Sequence, residues 1–378
     1  PPHQGPAAPS AGQPGDPLRG VSVHYLTTKF LRDIEAAGLT REAKIYEIES
    51  RLVRAKGALD CPRDGKPGCA YVDQLEGEDS AGRATHFLSY TWGSTAADMA
   101  DALGSWCQRR GLDPKRTYVW VCCLCINRHR VHEAKGGDAG NNFAEFAISL
   151  RSLLRGIGSV LALMQPWRAP RYVTRTWCLY ELFTAVQLGA DCQVEVIMPS
   201  RDATSFDEAL RGRGSADLGK FWSGLAATRV QDADASVASD REQILSAIDG
   251  VPGIVRFNRV VVRQLQGLFA GVAESHAARQ AENSCTGPVA AGELVGACRR
   301  AADMLVPLAK HNRAAALLQG ARATLEKSGQ RETVAYAELL ESIGRVAAAR
   351  GDASGALESY ETALQVHEEL GTLETTEE

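Results

Sequence analysis

The sequence predicts an α/β domain built on a parallel sheet, followed by an all-α region. Three observations carry this. Between residues 84 and 200, strand-like apolar runs alternate with helical stretches, the pattern of βαβ units. The runs are nearly continuous in hydrophobicity, Val160-Leu161-Ala162-Leu163-Met164 being the clearest, as strands covered on both faces require. From about 288 onward the chain is rich in Ala and Leu, lacks strand signals and repeats itself.

The elements follow in order. Residues 1–20 hold six prolines among Gly, Ala and Ser and are expected to be disordered. Residues 21–83 read as a helical lead-in and loop. Helical periodicity runs over 25–37 and 40–59, the second marked by Ile45, Ile48, Leu52 and Leu59. Turn residues fill 61–69, and 70–83 is a polar connection. The α/β domain then spans 84–200, with strands at 84–91, 118–126, 159–164 and 193–198 and helices at 96–111, 143–156 and 176–188. Residues 201–287 form a helical extension, clearest over 240–248 and 257–273.

The last segment, 288–378, is repetitive. Ala314, Leu318 and Ala321 recur 42 residues later as Ala356, Tyr360 and Ala363, with Ile343-Gly344 and Gly351-Asp352 marking the second copy. The pattern of small and large positions resembles tetratricopeptide helix pairs, and the spacing resembles the kinesin-light-chain version. That resemblance implies a surface for a protein or peptide partner. The chain starts at Pro1 and stops where another helix pair would begin, so a piece of a longer protein is expected, its array incomplete at the C-terminus.

Composition narrows the function classes. The chain is 44% hydrophobic, 23% charged and 6% aromatic, with a net charge of −4 and no long basic run. Nucleic-acid binding therefore lacks electrostatic support. No apolar stretch approaches the ~18 residues that span a bilayer. Ten cysteines are present, but Cys122, Cys123 and Cys125 fall in one expected strand and Cys178 in a helix. They read as buried, reduced thiols, which points to a reducing, cytoplasmic setting. A zinc site from these three with His129 and His132 has poor spacing, because a strand splays neighbouring thiols to opposite faces; no metal is expected. Redox sensing would need an exposed sulfur of low pKa, which the apolar context does not suggest.

The most informative motif is Trp177-Cys178-Leu179-Tyr180-Glu181-Leu182. It opens the helix after the third strand and a Pro- and Arg-rich loop. The reading places Glu181 in the first helical turn, at the carboxyl end of the sheet, where open α/β sheets bind ligands.

Trp-Cys-Leu-x-Glu-Leu resembles the corresponding helix of plant-type Toll/interleukin-1 receptor (TIR) domains, a flavodoxin-like fold. Leu88-Ser89-Tyr90-Thr91-Trp92-Gly93 and Trp120-Val121-Cys122-Cys123-Leu124-Cys125-Ile126-Asn127 are also similar to the fungal heterokaryon-incompatibility domain, itself considered TIR-like. The latter family has Asp and Gln where this chain has Cys122 and Arg128, so its specific chemistry does not transfer. The resemblance covers about a third of the chain. It implies that Glu181 is the catalytic carboxylate of an NAD+ glycohydrolase releasing nicotinamide and an ADP-ribose product. NAD+ would be substrate, with no prosthetic group. Cleavage passes through an oxocarbenium-like state that a carboxylate stabilises. On this reading Tyr90 or Trp92 stacks on a base, Ser94 bonds a phosphate, Arg175 with Arg168 and Arg171 holds the pyrophosphate, and Trp177 lies beside the ligand or anchors the core.

The bland counterpart for Glu181 is a solvated first-turn glutamate. A cytoplasmic signalling enzyme activated by self-association therefore stands beside a non-enzymatic adaptor whose repeats recruit partners. A nucleotide sensor that binds NAD+ without cleaving it is the third reading.

Overall fold

The computed structural model describes residues 12, 14–129, 142–213, 215–282 and 287–372. The chain divides into two compact units, Pro1–Ala203 with Thr228–Val261, and Thr204–Ala227 with Val262–Glu378. A six-stranded mixed sheet organises the first. Its strands are β1 (Arg19–Ser22), β2 (Ala81–Arg83), β3 (His86–Ser89), β4 (Tyr118–Val121), β5 (Ser159–Leu163) and β6 (Gln193–Ile197). Their spatial order is β2-β1-β4-β3-β5-β6. The last four in sequence are the expected strands, and they pair in parallel with β3 and β5 at the centre. Val160, Leu161, Ala162 and Leu163 of β5 are all buried, as their unbroken hydrophobicity requires.

Helices α1 (Ala96–Arg110), α2 (Asn142–Ile157) and α3 (Thr176–Gln187) connect the parallel strands, and α4 (Ala238–Gly250) belongs to the same unit. Local chemistry sets the ends of α1: the Thr95 hydroxyl accepts from the Asp98 N–H at 3.1 Å, and Gly111 adopts the left-handed conformation that ends the helix. Phe87 and Trp120 stack with centroids 5.1 Å apart from paired positions on β3 and β4.

The structure corrects several expectations. The sheet is not wholly parallel: β1 pairs antiparallel with both β2 and β4. The sequences Arg-Gly-Val-Ser and Ala-Gly-Arg carry no strand periodicity, because these strands are fixed by distant partners. The expected disorder through residue 20 does not extend to its described end. Arg19 is buried; its guanidinium donates to the Leu75 carbonyl at 2.6 Å, the Val72 carbonyl at 3.2 Å and the Gly12 carbonyl, while Asp16 accepts from the Gly12 N–H. Residues 1–11 lie outside the described residues. The lead-in helix breaks at Thr28, and the second starts at Ile45 and carries a π-helical turn, Glu49–Val53. The strand expected over 118–126 stops at Val121, and Cys122–Cys125 forms one helical turn. The argument from strand splay therefore does not apply to these thiols.

The second unit is helical among its described residues. Phe206, Phe221 and Phe269 interlock with centroids 4.6 to 6.2 Å apart. Beyond α5 (Ile254–Glu282) come α6 (Pro288–Leu305), α7 (His311–Lys327), α8 (Val334–Ala349) and α9 (Ala353–Glu369). Both ends of α9 lie 42 residues after those of α7 (353 − 311 and 369 − 327), the period read from the sequence. Gly344 of α8 explains one small position: a Cβ there would lie 2.7 Å from the Tyr360 ring of α9. The bare backbone lets the two helices approach face to ring.

Candidate functional site

Glu181 is the sixth residue of α3, whose first turn holds no acidic side chain. The expectation of a first-turn carboxylate beside free N–H groups is therefore corrected. The favourable end of a helix dipole fades within one turn, so burial and hydrogen bonding set the state of this group.

Its principal partner comes from β3. Phe87 and Ser89 lie on one face of that strand by its two-residue alternation, and Ser89 is the last strand residue. Ser89 Oγ donates to an ionised Glu181 Oε2 at 2.5 Å. On its other side Ser89 Oγ lies 2.7 Å from the Tyr172 hydroxyl, which reaches the Cys178 carbonyl at 3.0 Å. Ser89, Tyr172 and Cys178 are buried, while Glu181 keeps part of its surface accessible. A four-membered chain thus runs from the carboxyl, through two hydroxyls, to a backbone carbonyl.

Three contacts need three protons, and the two hydroxyls supply one each. A neutral Glu181 supplies the third: carboxyl to Ser89, Ser89 to Tyr172, Tyr172 to the carbonyl. An ionised Glu181 leaves Tyr172 to choose between Ser89 and Cys178. Burial acts the same way, pushing the carboxyl from 4.5 up to about 8 against the opposing bond from Ser89. Among the described residues no cationic side chain is ion-paired with Glu181. Burial also raises the Cys122, Tyr172 and Cys178 groups, and the Glu181 charge adds to each shift.

The other expected residues are distributed unevenly. Tyr90, 5% exposed, sits in the core and accepts a hydrogen bond from the Cys122 thiol at 3.4 Å, so its ring offers no open face. Ser94 is 1% exposed, its hydroxyl 3.2 Å from that of Thr91. Trp92 is half-buried with the Arg128 guanidinium 4.6 Å over its ring, and Arg128 approaches Glu49 at 3.5 Å. The loop arginines engage three separate partners: Arg168 lies over Trp167, Arg171 donates to the Gly93 carbonyl at 3.3 Å, and Arg175 donates to Ser236 at 2.6 Å. The Trp177 indole donates to Asp240 at 3.2 Å, tying α3 to α4.

Ser89 and Tyr172 were not singled out by the sequence. A polar residue at the end of an apolar central strand is a faint signal for the first. Tyr172 lies in the Pro- and Arg-rich loop and carries none. The thiols named for a metal do not gather with His129, whose Nε2 is 2.9 Å from the Arg54 carbonyl oxygen; His132 lies outside the described residues.

No family model, curated protein or solved structure matches this chain. The nine described cysteines are free, and no described helix is long and apolar enough to cross a membrane.

Proposed function

We propose that the first unit is a TIR-like domain that hydrolyses NAD+ to nicotinamide and an ADP-ribose product, with Glu181 as its catalytic carboxylate. The observation that carries this reading is the Glu181 carboxyl, held by Ser89 at the carboxyl end of the central strand with no cationic partner among the described residues. The parallel strands support it. Numbered among themselves they run 2-1-3-4, the flavodoxin-like order, and the crevice between their first and third members is the expected ligand position.

In this mechanism the bond between nicotinamide and ribose breaks, its electron pair leaves on the nicotinamide nitrogen, and the ribosyl carbon becomes cationic. The ionised Glu181 stabilises that charge until water adds to the carbon and loses a proton. Trp92, half-buried with Arg128 over its ring, is the aromatic surface assigned to a ligand base. Tyr90 and Ser94 support the crevice from within. In the proposed setting the protein is a cytoplasmic signalling enzyme that acts on self-association, and its tetratricopeptide-like helices recruit a protein or peptide.

The test is nicotinamide release followed by chromatography, from concentrated wild-type protein beside Glu181→Ala. Release that disappears in the folded variant is expected. Release that persists in it would remove Glu181 from the reaction. The adaptor reading draws on α9, where Leu357, Tyr360 and Leu364 are exposed along one side. An apolar stripe of this kind suits recruitment whether or not the first unit is catalytic.

A further inference from the structure

The Glu181 carboxyl presents an unusual balance of charge. It lies part-buried at the carboxyl end of β3, is ion-paired with no described cation, and ends a hydrogen-bond chain whose three contacts are complete only when it carries a proton. Such a site has no use for an anion. A positive ligand group, by contrast, can replace the proton at constant net charge.

We propose that this crevice exchanges the Glu181 proton for a cationic ligand group, an N-ribosyl pyridinium, and that Ser89 and Tyr172 are the positioning residues that let the exchange occur. The identity of the cation rests on the NAD+ reading above; the exchange itself rests on the hydrogen-bond chain. In the resting state the carboxylic acid donates to Ser89, Ser89 to Tyr172, and Tyr172 to the Cys178 carbonyl. When the pyridinium enters, one proton leaves Glu181 for solvent, Ser89 rotates to donate to the new carboxylate, and Tyr172 keeps its own proton. The balance is one cation bound and one proton released.

The surroundings fit this assignment. The Cys178 thiol on α3, Tyr172 in the turn before it, and Cys122 in the turn after β4 are the titratable groups whose charges couple to Glu181. Burial raises all three, which keeps them neutral. The neighbouring charges are engaged elsewhere: Arg128 with Trp92 and Glu49, Arg175 with Ser236, and Asp240 with Trp177. Arg151 of α2 acts on Tyr180. Glu181 is thus the group in this cluster whose ionisation a bound cation would control.

The experiment is titration calorimetry of the full chain at pH 7 with carbocyclic NAD+, whose nicotinamide bond is not hydrolysed. It is run in phosphate and in Tris, which differ in heat of protonation. About one proton should be released per ligand bound, none with NADH, whose ring is neutral, and none from Glu181→Gln. Binding of carbocyclic NAD+ without proton release would overturn the exchange while leaving NAD+ cleavage to its own assay. If carbocyclic NAD+ does not bind, 1-methylnicotinamide, methylated on the ring nitrogen and so a permanent pyridinium, replaces it at millimolar concentration. Proton-linked binding of that cation retains the exchange without the NAD+ reading, and absence of binding overturns it.

Two further variants separate positioning from mere structure. Tyr172→Phe frees the Ser89 hydroxyl for the carboxylate and should move the pH midpoint of binding down by about one unit. Ser89→Ala removes the carboxylate's donor and should move it up. A purely structural role would not shift the midpoint in opposite directions.

Discussion

At the residue scale, the Glu181 carboxyl makes the folded state prefer a proton that the unfolded chain gives up. Below pH 4.5 both states hold it, and the group has no effect on stability. Between 4.5 and about 8 the unfolded chain ionises first, so stability falls as pH rises and levels off above 8. The slope is roughly 1.4 kcal/mol per pH unit, and the total loss is a few kcal/mol. Glu181→Gln keeps the shape without the titration. Denaturant unfolding at pH 5 and pH 8 should therefore show the wild type losing stability relative to this variant; parallel curves would contradict the buried acid. Nicotinamide release, if Glu181 acts as carboxylate, should climb towards pH 8 for the same reason. The sequence made Glu181 visible through its Trp-Cys-Leu-x-Glu-Leu setting. It did not reveal the partners, because Ser89 and Tyr172 meet across 83 residues and no local pattern encodes that meeting.

Among elements, the parallel strands were legible because each carries its own hydrophobic run. β1 and β2 were not, since neither has a signature apart from its partners. β1 depends instead on Arg19, which donates to the backbone carbonyls of Val72, Gly12 and Leu75. Arg19→Met should take the side-chain donor from the Leu75 and Gly12 carbonyls, while Val72 keeps the Leu75 N–H, and cost about 2–4 kcal/mol, read as a lowered denaturation midpoint together with faster amide exchange in β1 and β2. The α8–α9 pair offers a complementary test. Alanine normally improves a helix over glycine by roughly 0.5–1 kcal/mol. Gly344→Ala should instead destabilise by about 1–3 kcal/mol, because its methyl meets the Tyr360 ring. Calorimetry of Gly344→Ala with Tyr360→Leu should recover most of the loss.

For the whole molecule, the 42-residue period was legible because repetition is itself a sequence property, and it reappears in the ends of α7 and α9. The separation into two units that interleave along the chain was not, since 204–227 groups with residues far downstream. The exposed Leu357 and Leu364 belong to no core. Replacing both with Gln should change stability by under about 0.5 kcal/mol per site while lowering association seen by sedimentation.

The buried sulfurs carry a different consequence. Enclosure raises the thiols of Cys125 and Cys298 to about 12 and that of Cys192 to about 11, leaving almost no reactive thiolate near neutral pH. An alkylating reagent would therefore modify them only when the surrounding structure opens. Cys192 and Cys298 fall in different units, so their rates of alkylation form two built-in clocks, each timing the breathing of its own half of the chain.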